Sequence, residues 1–132
     1  AITEPLYRPT TEGHFRAMGR ILTGLDLRAD GRIAVMSVTL QDKEELSLLP
    51  EDSEGIVNFG LEIKGVQAAV LLNEREGLVK CSLRAKEPLD VAKVAAEFGG
   101  GGHVLAAGCS FEKATMEEAR EKIVRALEGI IR

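Results

Sequence analysis

The cleanest alternation of apolar and polar positions lies past the middle of the chain. Val79, Cys81 and Leu83 share one side of a run whose other side carries Lys80, Ser82 and Arg84. That period of two marks a strand with one buried face. Just upstream, residues 66–73 are apolar on both faces, which predicts a central strand. Glu74, Arg75, Glu76 and Gly77 turn the chain between the two, so the pair reads as a β-hairpin. A second hairpin is signalled by Asp30-Gly31, a strong turn dipeptide, followed by RIAVMSVTL, which is rich in strand formers. GCSFEK, 108–113, reads as a further short strand.

Helical spacing appears between these runs. Phe15, Met18, Leu22 and Leu25 follow a cap at Thr10 or Thr11, although Gly13 and Gly19 weaken that helix. Val91, Val94, Ala95 and Phe98 follow Asp90 as cap and stop at Gly99. Ala119, Ile123, Leu127 and Ile130 form the apolar stripe of a final helix, opened by a Thr115/Glu118 capping box. The charged stretch between the hairpins predicts one or two short helices, 44–49 and 53–60. The order predicts one α/β domain over residues 1–132, a mixed β-sheet of about five strands with helices packed on it. No internal repeat or low-complexity tract interrupts it.

Composition narrows the partners. Apolar residues make up 45% and aromatics 4%, with no Trp, so the core is aliphatic. A net charge of −4 argues against a broad nucleic-acid footprint but leaves room for a local phosphate site. Two cysteines, Cys81 and Cys109, are too few for a disulfide framework and read as reduced thiols of a cytoplasmic protein. No run is long enough to span a bilayer, and no signal peptide is visible. The chain opens AITEPLY without Met, which reads as a piece of something longer.

The candidate chemistry centres on EFGGGGHVLAAG, 97–108. Glycines Gly99, Gly100, Gly101 and Gly102 lose more freedom on folding than any other residue type, so the run needs a reason. One reason is an anion nest of backbone N–H groups, with His103 as an additional donor and HVLAAG as a short helical turn behind it. The plainer reason is a loop that lets the preceding helix pack tightly on the sheet. The run follows a helix rather than a strand, so it is neither a dinucleotide-binding motif nor a P-loop. Arg84, with Ser82 on the same strand face, is the guanidinium suited to bidentate phosphate contact, and a strand–helix return can bring it to the same sheet edge as the glycines.

VKCSLRAKEPLDVAKVAAEFGGGGHVLAAG resembles the C-terminal, DHH-associated domain of the DHH-family phosphoesterases, in particular the branch of nano-RNA oligoribonucleases and 3′-phosphoadenosine-5′-phosphate phosphatases, also called exopolyphosphatase-related proteins. The resemblance covers nearly the whole chain and is strongest over 54–108. It implies that Arg84, with Ser82 beside it, grips phosphate, that Gly99, Gly100, Gly101 and Gly102 form the substrate loop, and that His103 contacts phosphate or sugar. Ala85 stands where a serine is often found in the family. The resemblance further implies that the catalytic half lies elsewhere: an N-terminal DHH domain of the parent holds manganese, while this domain carries no cofactor and does not hydrolyse alone. The residues agree with that division. There is no DHH triplet, His14 and His103 are far apart, and Asp26, Asp30, Asp42, Asp52 and Asp90 are scattered, whereas a two-metal site needs clustered ligands. AITEPLYRPTTEGH then follows the linker between the domains. Expected partners are short RNA, a nucleotide phosphate or a cyclic dinucleotide, and the parent's own DHH domain, with no membrane; a homodimer of the parent is compatible with this.

The rival reading is a nucleic-acid-binding module like those of alanyl-tRNA synthetases or RecJ-like exonucleases. A long-strand groove wants basic charge and stacking aromatics, and four Phe and one Tyr are few. A third reading makes the domain purely structural and predicts Arg84 and His103 far apart. His14 reads as an edge residue, Asn58 as a local helix-end hydrogen bonder, and Glu74 and Glu76 as solvated; Lys80 and Lys86 either add positive potential near Arg84 or keep an edge soluble.

Overall fold

The computed structural model describes residues 10–132; most of the stretch expected to follow an interdomain linker lies outside them. Helix α1 (Glu12–Thr23) is followed by strands β1 (Asp26–Arg28) and β2 (Ile33–Val38), helix α2 (Leu40–Glu45), strands β3 (Ala68–Arg75) and β4 (Leu78–Ala85), helix α3 (Val91–Glu97), strands β5 (Gly101–His103) and β6 (Ala106–Glu112), and helix α4 (Met116–Glu128). Two 3₁₀ segments, Pro50–Ser53 and Ile56–Glu62, lie between α2 and β3. The strands form one six-stranded sheet in the order β1-β2-β3-β4-β6-β5. The β2–β3 pair is parallel and the other pairs are antiparallel, so the sheet is mixed as expected, with one strand more.

Each sheet face has its own core. The β4 residues Val79, Cys81, Leu83 and Ala85 join Val70, Leu72, Ala107 and Phe111 beneath α3 and α4, which bury Val91, Val94, Ala119, Ile123 and Leu127 there. On the other face Ala34, Met36, Val38, Ala69 and Leu71 are covered by Ala17 and Ile21 of α1 and by Ile56 and Val57. That second layer covers β2 and β3 and stops. Among the described residues no α-helix lies over the same face of β4, β6 and β5, and only the 3₁₀ segments approach it at β4, which leaves room for a site.

The caps largely fall where the sequence puts them. Thr11 accepts from the His14 N–H, Asp90 from Lys93, and Thr115 from Glu118 in a reciprocal box. Thr115→Ala should therefore cost about 1 kcal/mol, read as a lowered urea midpoint. Three expectations need correction. Phe15 is 62% exposed, because α1 turns Ala17 and Ile21 to the sheet instead. The helices expected at 44–49 and 53–60 are displaced: α2 begins at Leu40 on a Thr39/Asp42 box, and the later segments wind as 3₁₀ turns. HVLAAG is no helical turn; it supplies His103 to β5, a two-residue turn and the start of β6, because β-pairing with β4 satisfies its backbone.

Burial alone would raise the Asp42 carboxyl, but the Thr39 N–H and hydroxyl and the Arg20 guanidinium outweigh it and hold Asp42 below the ordinary carboxylate range. Its contribution is present above the unfolded value of about 3.9 and is lost as pH falls through the lower folded value. In urea titrations between pH 2 and 6, Asp42→Asn should keep the cap yet lose part of the acid-limb dependence.

Candidate phosphate-binding site

Strand register decides what meets on the open face. Residues paired directly across neighbouring strands point to the same side of a sheet. Arg84 pairs with Ala106, and Ala106 with His103; Ser82 pairs with Gly108, and Gly108 with Gly101. Arg84 and His103 thus stand in one row on one face, two strand spacings or about 10 Å apart at the backbone, with only a methyl group between them. The neighbouring row is Ser82 followed by two glycines. The result is a strip of nearly bare backbone edged by a guanidinium and an imidazole. The expectation of a shared sheet edge is met in part: β5 is the edge strand, while β4 lies two strands in.

The four glycines divide the work. Gly99 has φ +81° and its N–H bonds the Ala96 carbonyl, ending α3. A Cβ on Gly100 would lie 2.8 Å from the Cys109 Cα, and one on Gly102, at φ +144°, would lie 2.6 Å from the Ala107 Cα. Both are forced by the close approach of this segment to β6. Gly101 meets nothing within 4 Å and has no positive φ. It alone has no steric reason to be glycine, and it sits on the open strip. The helix N-terminus expected behind the run does not exist, since β5 occupies that place.

Arg84 is half-buried, and its Nη1 donates to the Leu83 carbonyl at 2.8 Å, which among the described residues leaves most of its fork unengaged. It lines a trough of about 430 Å³ with Ser82 and Lys80 along β4, Leu71, Asn73 and Arg75 along β3, and a wall from residues 50–55. Lys80 also borders the neighbouring hollow beneath Gly99 and Gly100, so it bridges the two; Lys86 borders neither. Ala85 is 5% exposed in the opposite core, so a serine there would not reach this face directly. His14 is tied by Nδ1 to the Asp52 carbonyl at 2.7 Å, and Asn58 bonds the Gly55 carbonyl.

Sequence reasoning missed Ser53, Asn73 and Arg75. Asn73 and Ser53 are buried polar residues joined by a long 3.5 Å hydrogen bond, and Asn73 Oδ1 accepts from Lys43 Nζ at 2.6 Å. The available signal was a polar residue closing an apolar central strand. Cys81 and Cys109 face each other beneath the strip. Its hydrogen bond to Cys109 and burial push the Cys81 thiol far above its usual range, so it stays protonated and is no nucleophile. Among the described residues no three His, Cys, Asp or Glu side chains gather to hold a metal ion, and no helix is long and apolar enough to cross a membrane.

The DHHA1 domain model matches residues 30–132. The chain is 31% identical over 121 residues to the bifunctional oligoribonuclease and PAP phosphatase NrnA of Thermus thermophilus, covering 92% of this chain and 35% of that protein. It is similar in structure to an exopolyphosphatase-related protein from Bacteroides fragilis, with TM-score 0.86 and 36% identity over 94% of this chain and 36% of that one. The pGpG-specific phosphodiesterase PggH from Vibrio cholerae shares the fold at TM-score 0.63 and 10% identity, covering 89% of this chain and 40% of that one. The chain thus spans about a third of the length of NrnA and of the Bacteroides protein. With the family's fold, its glycine run and this degree of identity in place, the chain belongs to the DHHA1 domain family of DHH phosphoesterases, in the NrnA-like branch.

Proposed function

We propose that this chain is the substrate-binding lobe of a DHH-type phosphoesterase. Arg84, with Ser82 beside it, takes a phosphate of a short RNA or of 3′-phosphoadenosine 5′-phosphate. His103 closes on the same group from the far side of Ala106, and Gly101 and Gly108 let the ligand lie against bare backbone. The observation that carries this reading is the Arg84–Ala106–His103 row on the uncovered face. A guanidinium with most of its donors unengaged and an exposed imidazole, separated by small residues, suit a tetrahedral anion.

In the parent protein the hydrolytic step belongs to an N-terminal DHH domain with manganese, where the metals supply a nucleophilic water. The described residues of this chain offer no ligand set for such ions; its own residues orient the phosphate and offset its charge. Purified with Mn²⁺ and a diribonucleotide, the chain should bind but release no product. Turnover that disappears in an Arg84→Ala control would contradict the division of labour. A long-strand nucleic-acid module is disfavoured by the net charge of −4 and by the size of the trough, about 430 Å³, which falls in the range of small-ligand sites, about 300–1,000 Å³.

A further inference from the structure

The sheet has an unfinished edge. His103 and Ala106 close the two-residue turn between β5 and β6, so they exchange both main-chain hydrogen bonds. The alternation from there turns the N–H and C=O groups of Gly108, Ser110 and Glu112 away from β4. The Lys113 N–H bonds the Gly77 carbonyl on the β4 side, in keeping with that alternation. Strand β5 covers β6 only as far as Gly108. Before Gly101 the chain leaves the line of the strand, because the Gly99 and Gly100 N–H groups bond the Ala96 and Ala95 carbonyls of α3. Ser110 and Glu112, both exposed, are left facing outward, and among the described residues their main-chain groups on this edge have no partner. Open edges of this kind pair with another strand unless charge, proline or a covering element prevents it.

Two hollows meet at that edge and share Phe98, Ser110 and Glu112. One, of about 620 Å³, lies against Gly99 and Gly100 and reaches Lys80 on the open face. The other, of about 580 Å³, opens on the α3–α4 side. Its floor is apolar, with the rings of Phe98 and Phe111 4.8 Å apart at their centroids. Lys122 and Arg125 of α4 border it, with Lys122 Nζ 5.9 Å from the centre of the Phe111 ring. Among the described residues neither cation pairs with a carboxylate. Glu112 carries its side chain on the other face, with Ser110. That leaves two cations to one acid, Glu97, on this rim.

We infer that the edge of β6 at Ser110 and Glu112 takes an extended peptide as an added strand, antiparallel to β6 in the line of β5, with an apolar side chain over Phe98 and Phe111 and an acidic side chain on the same face for Lys122 and Arg125. Alternate side chains of a strand point to opposite faces, so residues two apart enter the α3–α4 hollow while the one between them lies on the Lys80 side. The antiparallel direction continues that of β5 and exchanges both main-chain bonds at Ser110 and again at Glu112. Main-chain bonds then supply affinity and the alternate side chains supply selectivity. A small anion held by Lys122 and Arg125 leaves the edge unpaired; a strand satisfies the edge, the apolar floor and the cations together. The inference stands apart from the phosphate reading, since Ser110, Lys122 and Arg125 do not border the trough.

The test titrates the peptide acetyl-Thr-Glu-Thr-Ile-Thr-Glu-Thr-amide into the chain and follows amide shifts and affinity. With the isoleucine opposite Phe111, its two neighbouring threonines pair with Ser110 and Glu112, and the acids fall on the α3–α4 side. Saturable shifts should centre on residues 109–112. N-methylation of those two threonines should weaken binding roughly tenfold or more, the scale of two lost hydrogen bonds. N-methylation of the isoleucine, whose N–H points away from β6, should leave binding nearly unchanged. Lysine in place of both glutamates should weaken it severalfold. The double variant Lys122→Ala/Arg125→Ala should erase the difference between the acidic and basic peptides and melt like the parent, since both side chains are exposed. Equal binding of the threonine-methylated peptide, equal binding of the acidic and basic peptides by the parent, shifts centred elsewhere, or no binding at millimolar peptide would each overturn the proposal. Sedimentation of the chain alone covers the other occupant: a dimer that the peptide does not displace and that Ser110→Pro dissolves would give the edge to a second copy and overturn it too. Affinity for adenosine 3′,5′-bisphosphate should stay within about twofold in Lys122→Ala/Arg125→Ala, as for independent sites, so failure here leaves the phosphate site standing.

Discussion

Replacing Arg84 with alanine should lower the affinity for adenosine 3′,5′-bisphosphate by roughly 10- to 150-fold, the range set by the ~1.5–3 kcal/mol of a hydrogen bond to a charged group. The fold should be untouched. The side chain is only half-buried, and among the described residues its one side-chain hydrogen bond goes to the carbonyl of its own neighbour Leu83. The alternating side chains behind it, Leu83 and Ala85, remain in the opposite core. Arg84→Lys should recover only part of the loss, because an ammonium keeps the charge but not the two-pronged donor geometry. Isothermal titration with a melting curve for each variant separates the outcomes. A variant that binds as well as the parent would remove Arg84 from the site.

The second large effect concerns stability and divides two adjacent glycines. Gly100→Ala should destabilise the chain by about 3 kcal/mol or more, at or above the upper end of ordinary overpacking. The new methyl would meet the backbone of Cys109 at 2.8 Å, and backbone in a paired strand cannot step aside as a flexible side chain does. Gly101→Ala should melt within about 1 °C of the parent, a shift that corresponds to a few tenths of a kcal/mol in a domain of this size, because nothing lies within 4 Å of its Cβ position. It should nevertheless weaken phosphate binding severalfold, since its Cβ rises from the row that contains Ser82 and Gly108. If Gly101→Ala destabilises as much as Gly100→Ala, the whole run is a packing device and the open strip is incidental.

These glycines also show how far the sequence could be read. The β4 alternation was legible because burial follows the two-residue period: Cys81 and Leu83 are fully buried while Lys80 is exposed and Ser82 and Arg84 are half-covered. The α4 helix was legible because a reciprocal cap and an apolar stripe agree on its start and its buried face. Residues 103–108 were harder. AAG, 106–108, carries small residues with little strand preference, and it becomes the start of a strand through pairing with β4, a partner more than twenty positions away. The same limit hid the trough. Its wall at residues 50–55 meets β3 and β4 only in three dimensions. The α2 helix starts earlier than its apolar residues imply because the Thr39/Asp42 box initiates it and it buries no residue of its own. Arg84 and His103 could be singled out by residue type, but their shared row depends on register, which the intervening helix and turn conceal.

The most direct test of the central claim is an NMR titration of the chain with adenosine 3′,5′-bisphosphate, repeated with Arg84→Ala. Saturable amide shifts should centre on Ser82, Arg84, Gly101 and His103, spare the α3–α4 face beneath the sheet, and vanish in the variant. Shifts that centre on the α3–α4 face, or that persist unchanged in Arg84→Ala, would contradict it.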